Sequence, residues 1–206
     1  MRKIQNKYFY GSVIIFLLLS NIYAYMQQKE ALKMQSFLLE LQHKTDGRVG
    51  RLEGINDCRL HEMNFNGKKI TPNLKIMNIR GEYIDLLDYV VGNKLIFRYS
   101  ELNCSTCIDA QIQNLNEFAK LIGVHNILLL TTYQNDIYMQ RFRKVNKIKF
   151  EILNIDQDSV LADIGVPYFF ILTSKEMRIQ SMFIPQKEEP KLTYDYLQLI
   201  REKYFL

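Results

Sequence analysis

The run KLIFRY, residues 94–99, ends just before Cys104, and the run IDAQIQNLNEFAKLI, residues 108–122, begins just after Cys107. The first is a continuous apolar strand pattern and the second an amphipathic helix pattern. A strand that feeds directly into a long helix is the opening half of a parallel β–α unit, because parallel neighbours need a crossover between them. The turn joining the two carries Cys104, Ser105, Thr106 and Cys107, so two of the chain's 3 cysteines sit together at its mouth.

The rest of the chain extends this pattern. Upstream, NLKIMNI (73–79) reads as a strand, Gly81 begins a turn, and EYIDLLDYV (82–90) follows. Downstream, NILLLTT (126–132) is an apolar run suited to an inner strand. QNDIYMQRFRKVN (134–146) then predicts a helix, KFEILNI (149–155) a strand and DSVLADIG (158–165) a short helix. YFFILTS (168–174) and RIQSMFI (178–184) are two strands of a hairpin. TYDYLQLIREKYF (193–205) closes the chain as an amphipathic helix, with Thr193 as N-cap and Tyr194, Tyr196, Tyr204 and Phe205 as core. The fold class is α/β: a mixed central sheet flanked by helices.

The N-terminus carries a separate signal. YFYGSVIIFLLLSNIYAYM (8–26) holds no charge and would span about 28 Å as a helix, close to the thickness of a bilayer core. Tyr8, Phe9 and Tyr10 flank one end and Tyr23 and Tyr25 the other, as interfacial belts do. Arg2, Lys3 and Lys7 precede it, which favours a cytoplasmic N-terminus. A cleaved signal peptide is the competing reading, with Ala24 at the cut but Ile22 where a small residue is usual. A buried soluble helix is the third. The sequence is read as residues 1–7, a cytoplasmic tip; 8–28, a transmembrane helix; 29–69, a helical stalk and linker; and 70–206, the folded domain. Within the stalk, Ala31, Met34, Leu38 and Leu41 follow helical spacing, and His43–Lys69 is read as irregular because of Gly47, Gly50, Gly54 and Gly67.

The domain would lie outside the cytoplasm, where disulfides persist. The whole chain has a net charge of +5, but the three N-terminal cations leave only +2 for the remainder, 24 basic against 22 acidic residues. That field is too weak to point to nucleic acid.

A CxxC at a helix start has a specific chemical use. The first cysteine meets unpaired backbone N–H groups and the positive end of the helix dipole, both of which favour its thiolate. The second, a turn further in, resolves the mixed disulfide formed at the first. Ser105 and Thr106 tune the pair through hydroxyl hydrogen bonds. A static disulfide is a weaker reading, because so small a loop stabilises little.

From about Ile70 to Leu206 the sequence resembles the thioredoxin fold, and within it the membrane-tethered thiol–disulfide oxidoreductases of the TlpA and ResA type. Pro72, Gly81, Leu86, Asp88, Gly92 and Lys94 occur in that family's order ahead of the CxxC. GVP (165–167) matches the family's element before a later strand. The resemblance implies Cys104 and Cys107 as the catalytic pair, Pro167 as a cis-proline packed against them, and Val166 as a backbone contact for substrate. It implies protein disulfide or dithiol substrates, a membrane or periplasmic redox partner and no cofactor. It places the chain as a single-pass protein of the inner membrane, its C-terminal domain in the periplasm, with reduction the favoured direction.

The departures are Asn103, where an aromatic residue is usual, the lack of proline between the cysteines, and Arg98, where thioredoxin has a buried acid. Arg98 either faces the cysteines and favours thiolates or points away to pair with an acid. Three other functions fit parts of the pattern. Cys58 and His61 with Cys104 and Cys107 have the ligand types of a Cys₃His zinc site, though Cys58 lies far upstream; no metal is expected. Peroxiredoxins share the fold, but their P-x-x-x-T/S-x-x-C pattern would need Pro and Thr or Ser where Phe97 and Glu101 stand. A non-catalytic binding module would use the surface around Val166 and Pro167.

Overall fold

A computed structural model describes residues 2–71, 73–133, 135–155, 161 and 163–206, with the side chains of residues 2–15 excluded. Half of the expected short helix at 158–165, residues 158–160 and 162, lies outside these residues, as does Pro72. The chain divides into two compact units, Met1–Gly54 and Ile55–Leu206.

The first unit is helical throughout, part of α1 (Arg2–Phe65). Its side chains from Phe16 onward are exposed; Phe16, Leu17, Leu18 and Leu19 are apolar on consecutive positions and so on every side of the helix. Among the described residues no helix is long and apolar enough to cross a membrane. The side chains of residues 8–15, part of the span read from sequence, lie outside the described set.

The irregular linker expected over 43–69 is instead helix as far as Phe65. An isolated glycine costs a helix only about 1 kcal/mol relative to alanine, and residues 48–53 around Gly50 supply arginine, leucine and glutamate. From Ile55 the helix also gains a packed face. Ile55, Cys58, Glu62 and Phe65, at 3-4-3 spacing, are its least exposed residues, and Phe65 and Cys58 pack into the core.

The second unit holds a seven-stranded sheet in the order β2-β1-β5-β4-β3-β6-β7. The strands are β1 (Lys75–Met77), β2 (Tyr83–Asp85), β3 (Asn93–Arg98), β4 (Ile127–Thr131), β5 (Glu151–Ile155), β6 (Tyr168–Thr173) and β7 (Ile179–Phe183). β3, β4 and β5 are parallel; β6 and β7 form the expected antiparallel hairpin. The helices are α2 (Leu86–Tyr89), α3 (Ser105–Ile122), α4 (Asp136–Val145) and α5 (Pro190–Tyr204). Alternation along β3 divides the core. Leu95 and Phe97 join Ile112, Leu115 and Phe118 of α3 on one face, while Ile96 joins Phe65, Leu86 and Phe170 on the other. β4 is buried on both faces, hence its unbroken apolar run.

β7 lies at the end of the strand order, and its outer backbone groups are met by the residues at and after the end of α1. Gly67 N–H donates to the Ile179 carbonyl at 2.8 Å and Ile179 N–H to the Lys68 carbonyl at 2.9 Å. Met182 N–H donates to Asn66 Oδ1 at 2.9 Å, and Ile184 N–H to Glu62 Oε1 at 2.8 Å.

Thr193 does not cap the last helix. α5 begins at Pro190, whose missing N–H costs nothing in a first turn. Thr193 then points inward with Leu197 and Ile200. Tyr194 falls off that face and is exposed, whereas Tyr196 stacks on Phe183 at 4.5 Å between ring centroids.

Candidate active site

β3 delivers the chain to the site. Tyr99 N–H extends its ladder by donating to the Leu130 carbonyl at 3.0 Å. Asn103 then closes a tight turn: its Oδ1 accepts from Ser100 N–H at 2.8 Å, and its own N–H donates to the Ser100 carbonyl at 3.1 Å. Asn103 is buried, and it shapes the backbone that presents Cys104.

Cys104 is the N-cap of the 18-residue α3, with φ −58° and ψ 117°. Its carbonyl accepts the first helical bonds from Cys107 and Ile108 N–H, each at 3.1 Å. The thiol is exposed, and its sulfur lies 3.1 Å from Thr106 Oγ1. The Thr106 hydroxyl first, then the backbone N–H and thiol of Cys107, lower the Cys104 pKa to about 7. Cys107 is half-buried. Burial, followed by the neighbouring Cys104 sulfur, pushes its pKa up, against a smaller opposing pull from Lys187. Two thiols one turn apart are thus separated in acidity, and the exposed one is the stronger acid. Of the two hydroxyls expected to tune the pair, Thr106 forms the bond, and Ser105 is exposed at the first helical position.

Arg98 is only 2% exposed and on the opposite face of β3 from Phe97. Its guanidinium donates to the carbonyls of Tyr99 and Leu161. Burial lowers its pKa, offset by Tyr168, Asp163 and Tyr99. The Asp163 carboxyl is held below its usual range: burial raises it, but the Ser100 hydroxyl, Gly165 N–H, Arg98 and the Asn103 amide outweigh that. Neither cysteine's acidity is set by Arg98. Arg98 is held by the Tyr99 and Leu161 carbonyls, and the Asp163 charge acts on it.

Tyr168 at the start of β6 pairs with Arg98 at the end of β3. Val166 and Pro167 therefore enter the sheet at the edge where the loop carrying Cys104 leaves it. Val166 is 38% exposed and Pro167 is buried. The cis-proline implied by resemblance is not found: no cis peptide occurs among the described residues, and Val166–Pro167 is trans, the favoured state of an X–Pro bond. The chain turns here at Gly165 instead, which has φ +81° and donates its N–H to Asp163 Oδ1 at 2.8 Å.

Cys58 is elsewhere. Its sulfur accepts from Gln186 Nε2 at 3.0 Å and it packs against the core face opposite α3. Among the described residues no three His, Cys, Asp or Glu side chains converge as metal ligands.

A cleft of about 430 Å³ opens beside Cys104, lined by Asn103 and Ser105, by Glu101 and Asp109, by Tyr133, and by Phe142 and other residues of α4. No local pattern marks this cleft, Lys187 or Asp163, which reach the site only through the fold.

No protein-family model matches the chain, and no curated protein does. Solved structures do. A mutant of PrxQ from Xylella fastidiosa has a TM-score of 0.50 at 14% identity, over 66% of this chain and 95% of that one. The peroxidoxin BcpB from Mycobacterium tuberculosis has a TM-score of 0.50 at 11% identity, over 67% and 97%. The fold is thioredoxin-like. A thiol:disulfide interchange protein from Bacteroides sp. is also similar, with a TM-score of 0.49 at 13% identity over 65% and 90%. Identities this low speak to the fold, so the chemistry rests on the residues described above.

Proposed function

We propose that the chain is a membrane-anchored, extracytoplasmic thiol–disulfide oxidoreductase of protein substrates, working chiefly as a reductant. One observation carries this reading: an exposed thiol of lowered pKa caps α3, and a second, less acidic thiol lies one turn deeper. In the reducing direction, the Cys104 thiolate attacks one sulfur of a substrate disulfide. A Cys104–substrate disulfide forms and the other substrate sulfur leaves as a thiolate. Cys107, deprotonated, then attacks Cys104 Sγ, releasing the second substrate thiolate and leaving a Cys104–Cys107 disulfide. The substrate gains two electrons and, with solvent protons, becomes a dithiol. A partner dithiol in the membrane or periplasm restores the enzyme by the same steps in reverse. Val166 and Pro167, at the sheet edge beside the loop, offer backbone to the substrate chain.

A Cys104 pKa of about 7 supports the reducing direction. It matches thioredoxin's value of roughly 7 rather than the ~3.5 of the strong oxidant DsbA, whose very stable thiolate favours the reduced enzyme. The anchor is supported by the charge-free run 8–28 and by the apolar residues 16–19 exposed all round α1, since a helix apolar on every side needs an apolar surrounding.

The test is redox equilibration of the full chain in graded dithiothreitol or glutathione buffers, with alkylation and mass measurement. A two-electron transition lost in Cys104→Ser is expected, with a midpoint nearer roughly −270 mV than roughly −120 mV. No transition in the unaltered chain would sink the proposal.

A further inference from the structure

We propose that the cleft beside Cys104 is a specificity pocket for the substrate, taking a large apolar or aromatic side chain next to the target cysteine, with a basic residue adjacent. The inference deepens the exchange function proposed above and rests on it.

Position comes first. Asn103 and Ser105, the residues on either side of Cys104, both line the cleft. An extended chain advances about 3.3 Å per residue, so a substrate with its sulfur at Cys104 has its next one or two side chains over this opening.

The walls are apolar and already formed. Ile108, Tyr133, Tyr138, Phe142 and Val145 supply them. Tyr133 is fixed from both sides by one amide: its N–H donates to Asn154 Oδ1 at 2.7 Å, and Asn154 Nδ2 donates to its carbonyl at 2.6 Å. Its ring stands edge-on to Tyr99 at 6.0 Å and tilted to Phe142 at 6.0 Å. A pocket held this way loses little entropy when filled. Its size is within the usual range for small-ligand sites.

Exposure says that a partner is missing. Tyr138 is 55% exposed and Val145 70%, and nearby in sequence Leu102 is 84% and Ile137 70%. Four large apolar side chains on the catalytic loop and one short helix exceed what the core requires of them, and such clustering marks a binding surface.

Charge selects the occupant. Glu101 and Asp109 line the cleft against a single cation, Arg141. Burial raises the Tyr133 hydroxyl pKa against the Tyr99 hydrogen bond, and both carboxylates add to the rise. In a chain of net charge +5, this is a locally acidic rim. It complements a lysine or arginine and repels an acidic segment.

The experiment uses the reduced full chain and two peptides, each with one cysteine carrying a thionitrobenzoate leaving group. One peptide places Phe-Lys next to the cysteine and the other Gly-Glu. Cys104 attacks the peptide sulfur and thionitrobenzoate departs, which is read by absorbance. The Phe-Lys peptide is expected to react at least about tenfold faster. The measured quantity is the ratio of the two rates in each variant, so any general change in thiol reactivity cancels. Tyr138→Ala with Val145→Ser should bring the ratio close to one. Glu101→Gln with Asp109→Asn should remove the lysine's share and keep the phenylalanine's, as a Phe-Gln peptide would show. Equal rates in the unaltered chain, or an unchanged ratio in both variants, would overturn the pocket alone. An unaltered chain that releases no thionitrobenzoate from either peptide would overturn the exchange function and the pocket with it. Self-association lost in the Tyr138→Ala, Val145→Ser variant, with no peptide preference, would assign the face to a second copy of this chain instead.

Discussion

Cys58 and Cys104 both sit on helices, and their surroundings have little else in common. Cys58 is inside α1, half-buried, its sulfur accepting from Gln186 and packed against the core. Cys104 stands at the first turn of α3, exposed, its sulfur beside the Thr106 hydroxyl and the backbone N–H of Cys107. Within a helix the N–H groups are already bonded to carbonyls; at its start they are not. The contrast shows how place on a helix separates two thiols of one chain: at the start of α3 the sulfur is exposed beside a hydroxyl and an N–H that lower its pKa, and inside α1 it is packed.

The strongest way to test this contrast is to exchange each sulfur for oxygen. Cys104→Ser should remove disulfide exchange altogether, whereas Cys58→Ser should retain it, as a turnover assay with a protein disulfide would show. Activity surviving in Cys104→Ser would refute the contrast. Next in size, Cys107→Ser should attack normally but fail to resolve. A Cys104–substrate disulfide should accumulate, seen as added mass that dithiothreitol removes.

Titration sharpens the comparison further. Alkylation of Cys104 should rise with pH to a half-maximum at about 7, against roughly 8.5 for a free thiol. Thr106→Val removes the leading cause and should move that midpoint upward. Because a less acidic thiolate is also more nucleophilic, the rate at pH 7 should fall only about two- to fivefold. The lowered pKa also links to folding. A group more acidic in the folded state stabilises it fully above the unfolded pKa, and that contribution disappears as pH falls through the folded value. The reduced protein should therefore lose this contribution between about pH 8.5 and 7, a loss that Thr106→Val lessens in urea melts. The smallest effect is expected at Cys58→Ala, which deletes one hydrogen-bond acceptor and a partly packed sulfur. About 1 kcal/mol of stability should be lost without change in the Cys104 alkylation profile.

How much of this could be read in advance depends on the range of the interactions. β3, β4 and α3 were legible because burial writes its period directly into the sequence: an unbroken run for β4, helical spacing for Ile108, Ile112, Leu115 and Phe118. The cysteine pair was legible for the same reason, since its chemistry follows from three adjoining features: a strand end, a CxxC and a helix start. Residues 43–65 carry conflicting signals, since their glycines point to a break and the 3-4-3 spacing of Ile55, Cys58, Glu62 and Phe65 points to a helix. The end of α5 closest to Thr193 was misread because Pro190 starts a helix as well as a threonine does. The sequence leaves Arg98 two orientations because one of its partners, the Leu161 carbonyl, lies 63 positions away. The clamp of Asn154 on Tyr133 and the pull of Lys187 on Cys107 likewise join segments that only the sheet order brings together.

The contacts that Glu62, Asn66, Gly67 and Lys68 make with β7 have a consequence for self-association. A bare outer strand offers its N–H and C=O groups to any other strand in reach, which is how sheets grow from one molecule into the next. In this chain the last turn of α1 and the residues after it occupy that strand's free bonding positions. A protein shortened to residues 70–206, the boundary that the sequence alone points to, would keep every cysteine of the exchange pair and lose this guard. It should stack through β7 into oligomers, while a form beginning before Ile55 stays monodisperse in light scattering.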